Sequence, residues 1–145
     1  MSTLTTKIKE SVTLNGKVYG NENTKTHASI TTVRQSIVDV DSGSATQLFS
    51  FAAARAGLGT VQDAKAKYIR LTNLDSSNFV IINLFLDLST DEYAAFKLLP
   101  GGSMIITKDT VKTGSATTSL TQLDGVFAKA DTADCQVEIF IAEIN

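Results

Sequence analysis

The chain has 145 residues, a formal net charge of −2, one His, one Cys, one Pro and no Trp. A chain of this length is expected to form one domain, residues 1–145, that buries roughly 70% of its unfolded surface without disulfide staples. Scattered Lys and Arg give no basic footprint for nucleic acid or for an anionic membrane. The longest apolar run, NFVIINLFLDL from Asn78 to Leu88, falls short of the about 20 residues that a spanning helix takes.

The start of the chain, MSTLTTKIKESVTL, has no charged head followed by an apolar run, so no secretory signal is expected. VTL–NG–KVY, Val12 to Tyr19, predicts a hairpin, because Asn15-Gly16 supplies the two positive-φ residues of a type I′ turn. HASITTVRQSIVDV, His27 to Val40, alternates as one long or two short strands. The loop DSGSA closes it, and the strand TQLFSF, Thr46 to Phe51, follows. Ala52 to Lys67 has no clean period and predicts an excursion with at most a short helix, since Gly57 and Gly59 would end one.

KYIRLTNL, Lys67 to Leu74, alternates Ile69 and Leu71 against Tyr68, Arg70 and Thr72, and DSSN turns into the apolar run. STDEYAAFKLLP, Ser89 to Pro100, carries conflicting signals. Ser89 and Glu92 have capping-box spacing, yet a strand continues the meander into the turn at Pro100, which predicts a strand. SMIIT is a strand, and Lys108 to Ser119 a loop or polar edge. GVFAKA and CQVEIFIAEI close the chain around DTAD. About eight to ten short strands with Thr-rich alternation predict an all-β antiparallel β-sandwich or jelly-roll-like barrel.

Catalytic parts are scarce. A cupin-like metal site draws on several histidines and His27 stands alone, so neither a metal nor a cofactor is expected. Cys135 cannot form an internal bridge, which fits a reducing place of synthesis. It shares alternation with Val137, Ile139 and Ile141, and Asp131 and Asp134 beside it oppose a reactive thiolate. The acids Asp87, Asp91 and Glu92, and the pair Asp39 and Asp41, are sequence neighbours rather than carboxylates placed across a bond from different elements. A flexible acidic loop of that kind suits Ca²⁺ better than hydrolysis, and a solvated loop better still. Basic residues do not interleave with Phe49, Phe51, Tyr68 and Phe79 as a base-stacking surface requires. An enzyme is not expected.

The apolar run says more about assembly. Val80, Ile82, Leu84, Leu86 and Leu88 make one aliphatic face, while Phe79, Ile81, Asn83, Phe85 and Asp87 make the other. An antiparallel sheet usually keeps one wet side. Large apolar residues there need a covering segment or a second subunit. Phe140 and Ile144, opposite the Cys135–Ile141 face, repeat the pattern. The candidate interface is therefore Phe79, Ile81, Phe85, Phe140 and Ile144.

The order ESVTLNGKVYG, DSGSATQLFSF, YIRLTNLDSSNFVIINL, LLPGGSMIIT and LDGVFAKADTADCQVEIFIAEIN spans nearly the whole chain. It resembles small β-sandwich structural proteins of tailed bacteriophages: capsid decoration (cement), head-fibre, head–tail connector or tail accessory proteins. The resemblance implies a virion component made in the host cytoplasm, without a cofactor. Its partners would be copies of itself and other virion proteins, with no direct nucleic-acid or membrane contact, and no site residues carry over. The competing expectation is a carbohydrate-binding or adhesion module, which the lack of Trp and the three Tyr disfavour.

Overall fold

A computed structural model describes residues 2–89, 91–107 and 123–145. Among these residues, eight strands build the body. They are β5 (Thr32–Val40), β6 (Thr46–Ala52), β8 (Ala66–Asn73), β9 (Val80–Asp87), β10 (Glu92–Leu98), β11 (Ser103–Ile106), β12 (Gly125–Ala130) and β13 (Cys135–Glu143). The first sheet runs β10-β9-β12-β6 and the second β11-β8-β13-β5. The chain crosses between sheets at nearly every step, and each closing strand inserts between earlier ones. That order is a jelly roll, two Greek keys wrapped into a sandwich. The all-β β-sandwich expectation holds.

Alternation produces the core. Val80, Ile82 and Leu84 of β9, Ile69 and Leu71 of β8, Val126 and Ala128 of β12, and Val137, Ile139 and Ile141 of β13 are all buried and form one cluster. Each large aliphatic buried in this way contributes about 1.5–3 kcal/mol. Leu88 departs from the expected face: β9 ends at Asp87, and Leu88 sits in the following turn, 45% exposed. Within the stretch read as a strand, Glu92–Leu98 forms β10, antiparallel to β9 from Glu92↔Asp87 to Leu98↔Val80. The cross-strand ladder outweighs the local helix signal.

The Ala52–Lys67 excursion holds no helix. Its glycines lead into β7 (Thr60–Gln62), which pairs parallel with β6 and extends the first sheet by one strand. Lys108 to Ser119 lies outside the described residues.

Ahead of the body stands a ribbon. β1 (Ser2–Lys9) pairs with β4 (Glu22–Ile30), and β2 (Val12–Leu14) with β3 (Lys17–Tyr19). Together they make a long hairpin whose turn carries Asn15 at φ 51 and Gly16 at φ 77, the type I′ geometry expected from the sequence. His27 to Val40 divides into two strands, β4 and β5. They part at Thr31, whose N–H donates to the Glu143 carbonyl at 2.9 Å.

Candidate functional site

Among the described residues the hairpin is anchored only at its base. Ile30 packs with Tyr68 and Ala142, and Leu4, Ile105, Phe140 and Ile144 complete the cluster on the outer face of the second sheet. His27 meets Tyr68 in a tilted ring contact, with centroids 5.7 Å apart. From Lys7 to Thr26 every residue is solvent-exposed. The turn at Asn15 therefore stands about 20 Å beyond Ile8, at roughly 3.3 Å per strand residue. Its apolar side chains stay in water, with Val12 at 59%, Leu14 at 60% and Val18 at 67% exposure.

The five residues read as an interface fall on opposite faces of the sandwich. Phe79, Ile81 and Phe85 lie with β9 on the outer face of the first sheet. There Phe85 meets Tyr93 of β10 at 4.9 Å and Phe127 of β12 at 5.0 Å. Lys97 Nζ sits 3.6 Å from the centroid of the Phe79 ring, which covers that ring with a cation. The buried Asn83 Oδ1 among them has no hydrogen-bond partner among the described residues. Phe140 and Ile144 lie on the outer face of the second sheet, beneath the base of the hairpin. Phe140 makes an edge contact with Tyr68 at 6.0 Å, and Arg70 lies 5.7 Å above its ring.

Sequence reasoning missed a charged clasp. Glu143 ends β13 at 2% exposure and pairs with Arg34 of β5 at 3.4 Å and with Arg55 of the bend before β7. Gln62 N–H also donates to it, at 3.3 Å. Arg34 reaches on to the Leu58 carbonyl at 2.8 Å. With both carboxylate oxygens engaged by donors, Glu143 ties four segments together. No spacing in the sequence links residues 34, 55, 62 and 143, so only tertiary structure reveals the clasp.

The groups weighed for chemistry do not converge. Asp39 accepts from Gln136 Nε2 at 2.9 Å, while Asp41 caps its own loop through the Ser44 N–H at 2.9 Å. Asp87 accepts from the N–H and the hydroxyl of Ser89. Cys135 is buried, and its Sγ lies 3.4 Å from the Ala133 carbonyl. Burial, followed by the charges of Asp75, Asp134 and Asp131, pushes the thiol pKa up, the opposite of what a nucleophile requires. Among the described residues no three His, Cys, Asp or Glu side chains gather to hold a metal ion.

No protein-family model and no curated protein matches the chain. Among solved structures, a chain from Bacillus endospore appendages, which form a novel family of disulfide-linked pili, is similar at 13% identity with a TM-score of 0.39. The alignment covers 79% of this chain and 90% of that one. Likeness at that level carries no weight for function or assembly.

Proposed function

We propose that the chain is a non-enzymatic structural subunit of a repeating assembly. Its most specific form is a tailed-phage virion component that decorates the capsid or serves a head–tail or tail position. The observation that supports this reading is the ribbon from Lys7 to Thr26, exposed along its whole length and tipped with Val12, Leu14 and Val18. A hairpin that projects from its body buries little apolar surface of its own and is marginal in water. It gains its stability when another surface covers it. The partly apolar outer face around Phe85 offers a second contact of the same kind.

The test has two levels. Light scattering across a concentration series should show self-association that Leu14→Asp and Val18→Asp weaken without lowering the melting temperature of the body. Mass spectrometry of purified phage particles should then find the chain in fixed ratio to the major shell protein. A strictly monomeric chain that is absent from particles would overturn the proposal.

A further inference from the structure

The second sheet ends in an unfinished edge. β5 is its last strand, paired with β13 on one side and with no described strand on the other. It is nine residues long, and edges of that length are usually blunted or covered. Both flanks of this edge carry apolar side chains among polar ones. Outward, Val33 and Ile37 are 54% and 57% exposed. Inward, between the sheets, a groove of about 400 Å³ opens along Arg34, Ser36, Leu48, Phe49 and Leu58. Leu58 stands at its lip, 93% exposed. An edge with a groove for alternate side chains is what strand addition uses: the backbone supplies affinity and the groove selects the side chains.

We infer that this edge receives the hairpin tip of a second copy of the chain, with β2 added beside β5 and Val12 and Leu14 seated in the groove. β2 is one strand of a two-stranded ribbon, so its own far edge is also unpaired among the described residues. Val12 and Leu14 share one face of it and Thr13 takes the other, the spacing that a one-sided groove reads. Charge favours a like partner. Residues 2–30 carry four lysines against two glutamates, and the remainder nine cations against thirteen acids, so the ribbon of one copy is attracted to the body of the next. The base of each ribbon is fixed by Leu4 and Ile30 on the outer face of its own second sheet, and its exposed tip projects toward a neighbour.

This inference rests on the assembly reading, and the experiment separates the two. Copies carrying Thr13→Cys are mixed with copies carrying Gln35→Cys, on the outward flank of β5, and oxidised. A control mixture uses Ala95→Cys on the outer face of the first sheet. All three positions are exposed, so the variants keep the fold, and the buried Cys135 does not compete. Mixed disulfides should form with Gln35→Cys at several-fold the yield of the control. Equal or greater yield with Ala95→Cys, or no cross-link in a protein that still assembles, overturns the docking of the tip on β5 and leaves the assembly reading standing. A chain that does not self-associate removes both.

Discussion

Asn73 illustrates how single polar residues close the ends of the sandwich. It is fully buried, yet its side chain donates to the Asn78 carbonyl at 2.8 Å and the Leu98 carbonyl at 3.2 Å, and accepts from the Asp75 N–H at 3.0 Å. One amide thus satisfies three backbone groups where β8, β9 and β10 meet. Next to it, Asp75 accepts from the Asn78 N–H at 2.6 Å and the Ser77 N–H at 2.7 Å. These bonds, Asn78 first, hold its pKa below the ordinary 3.8. Asp134 is lowered in the same way by the backbone and hydroxyl of Ser42. A carboxylate whose folded pKa lies below its unfolded one adds stability above the unfolded value. That stability is lost as pH falls through the folded value. Asp75→Ala should therefore melt below the unmodified chain near neutral pH, and the gap should close as the pH drops below about 3.8. A gap that stays constant down to the acid limb would mean that Asp75 acts through shape rather than charge.

The individual strands were legible because their signals are local. The Asn15-Gly16 turn, the Ile69–Leu71 alternation and the two faces of Val80–Phe85 follow from periods of two and from turn chemistry. What was not legible is order. Nothing in VTL–NG–KVY says that its strands leave the body, and nothing in TVRQSIVDV says that β5 lies at an edge. Pairing between distant strands is fixed by the closed sandwich and not by either strand alone. The parallel β7 and the clasp on Glu143 were invisible for the same reason, as was the separation of Phe140 and Ile144 from Phe79, Ile81 and Phe85. At β9 the two faces can be set against each other by mutation. Leu84 is buried in the core, and Leu84→Asp places a charge there with no partner, so no cooperative melt should remain. Phe85 is half-buried against Tyr93 and Phe127. Phe85→Asp forfeits two ring contacts and some burial, about 1–3 kcal/mol in all, and leaves its carboxylate a path to water. Thermal melts on both variants decide the matter. If Phe85→Asp unfolds as completely as Leu84→Asp, the outer face of the first sheet is sealed within one chain.

At the scale of the whole molecule, body and ribbon answer to different demands. The body has its own core from Val40 to Ile141. The ribbon adds Leu4 and Ile30 to the small cluster over Tyr68, Phe140 and Ala142, with His27 against Tyr68. Removing residues 2–30 should therefore leave a folded jelly roll. Its cost is the uncovering of Tyr68, now 6% exposed, and its neighbours, about 2–4 kcal/mol from the apolar area returned to water. For a body of this size that corresponds to a fall in Tm of about 10 °C. Circular dichroism should keep the β signature of the full chain, while light scattering should find the shortened chain monomeric at concentrations where the full chain associates. Two results would break this picture. A shortened chain with no cooperative melt would make the ribbon part of the folding unit and not an appendage. One that associates as strongly as the full chain would move the assembly contact off the ribbon and onto the outer face around Phe85.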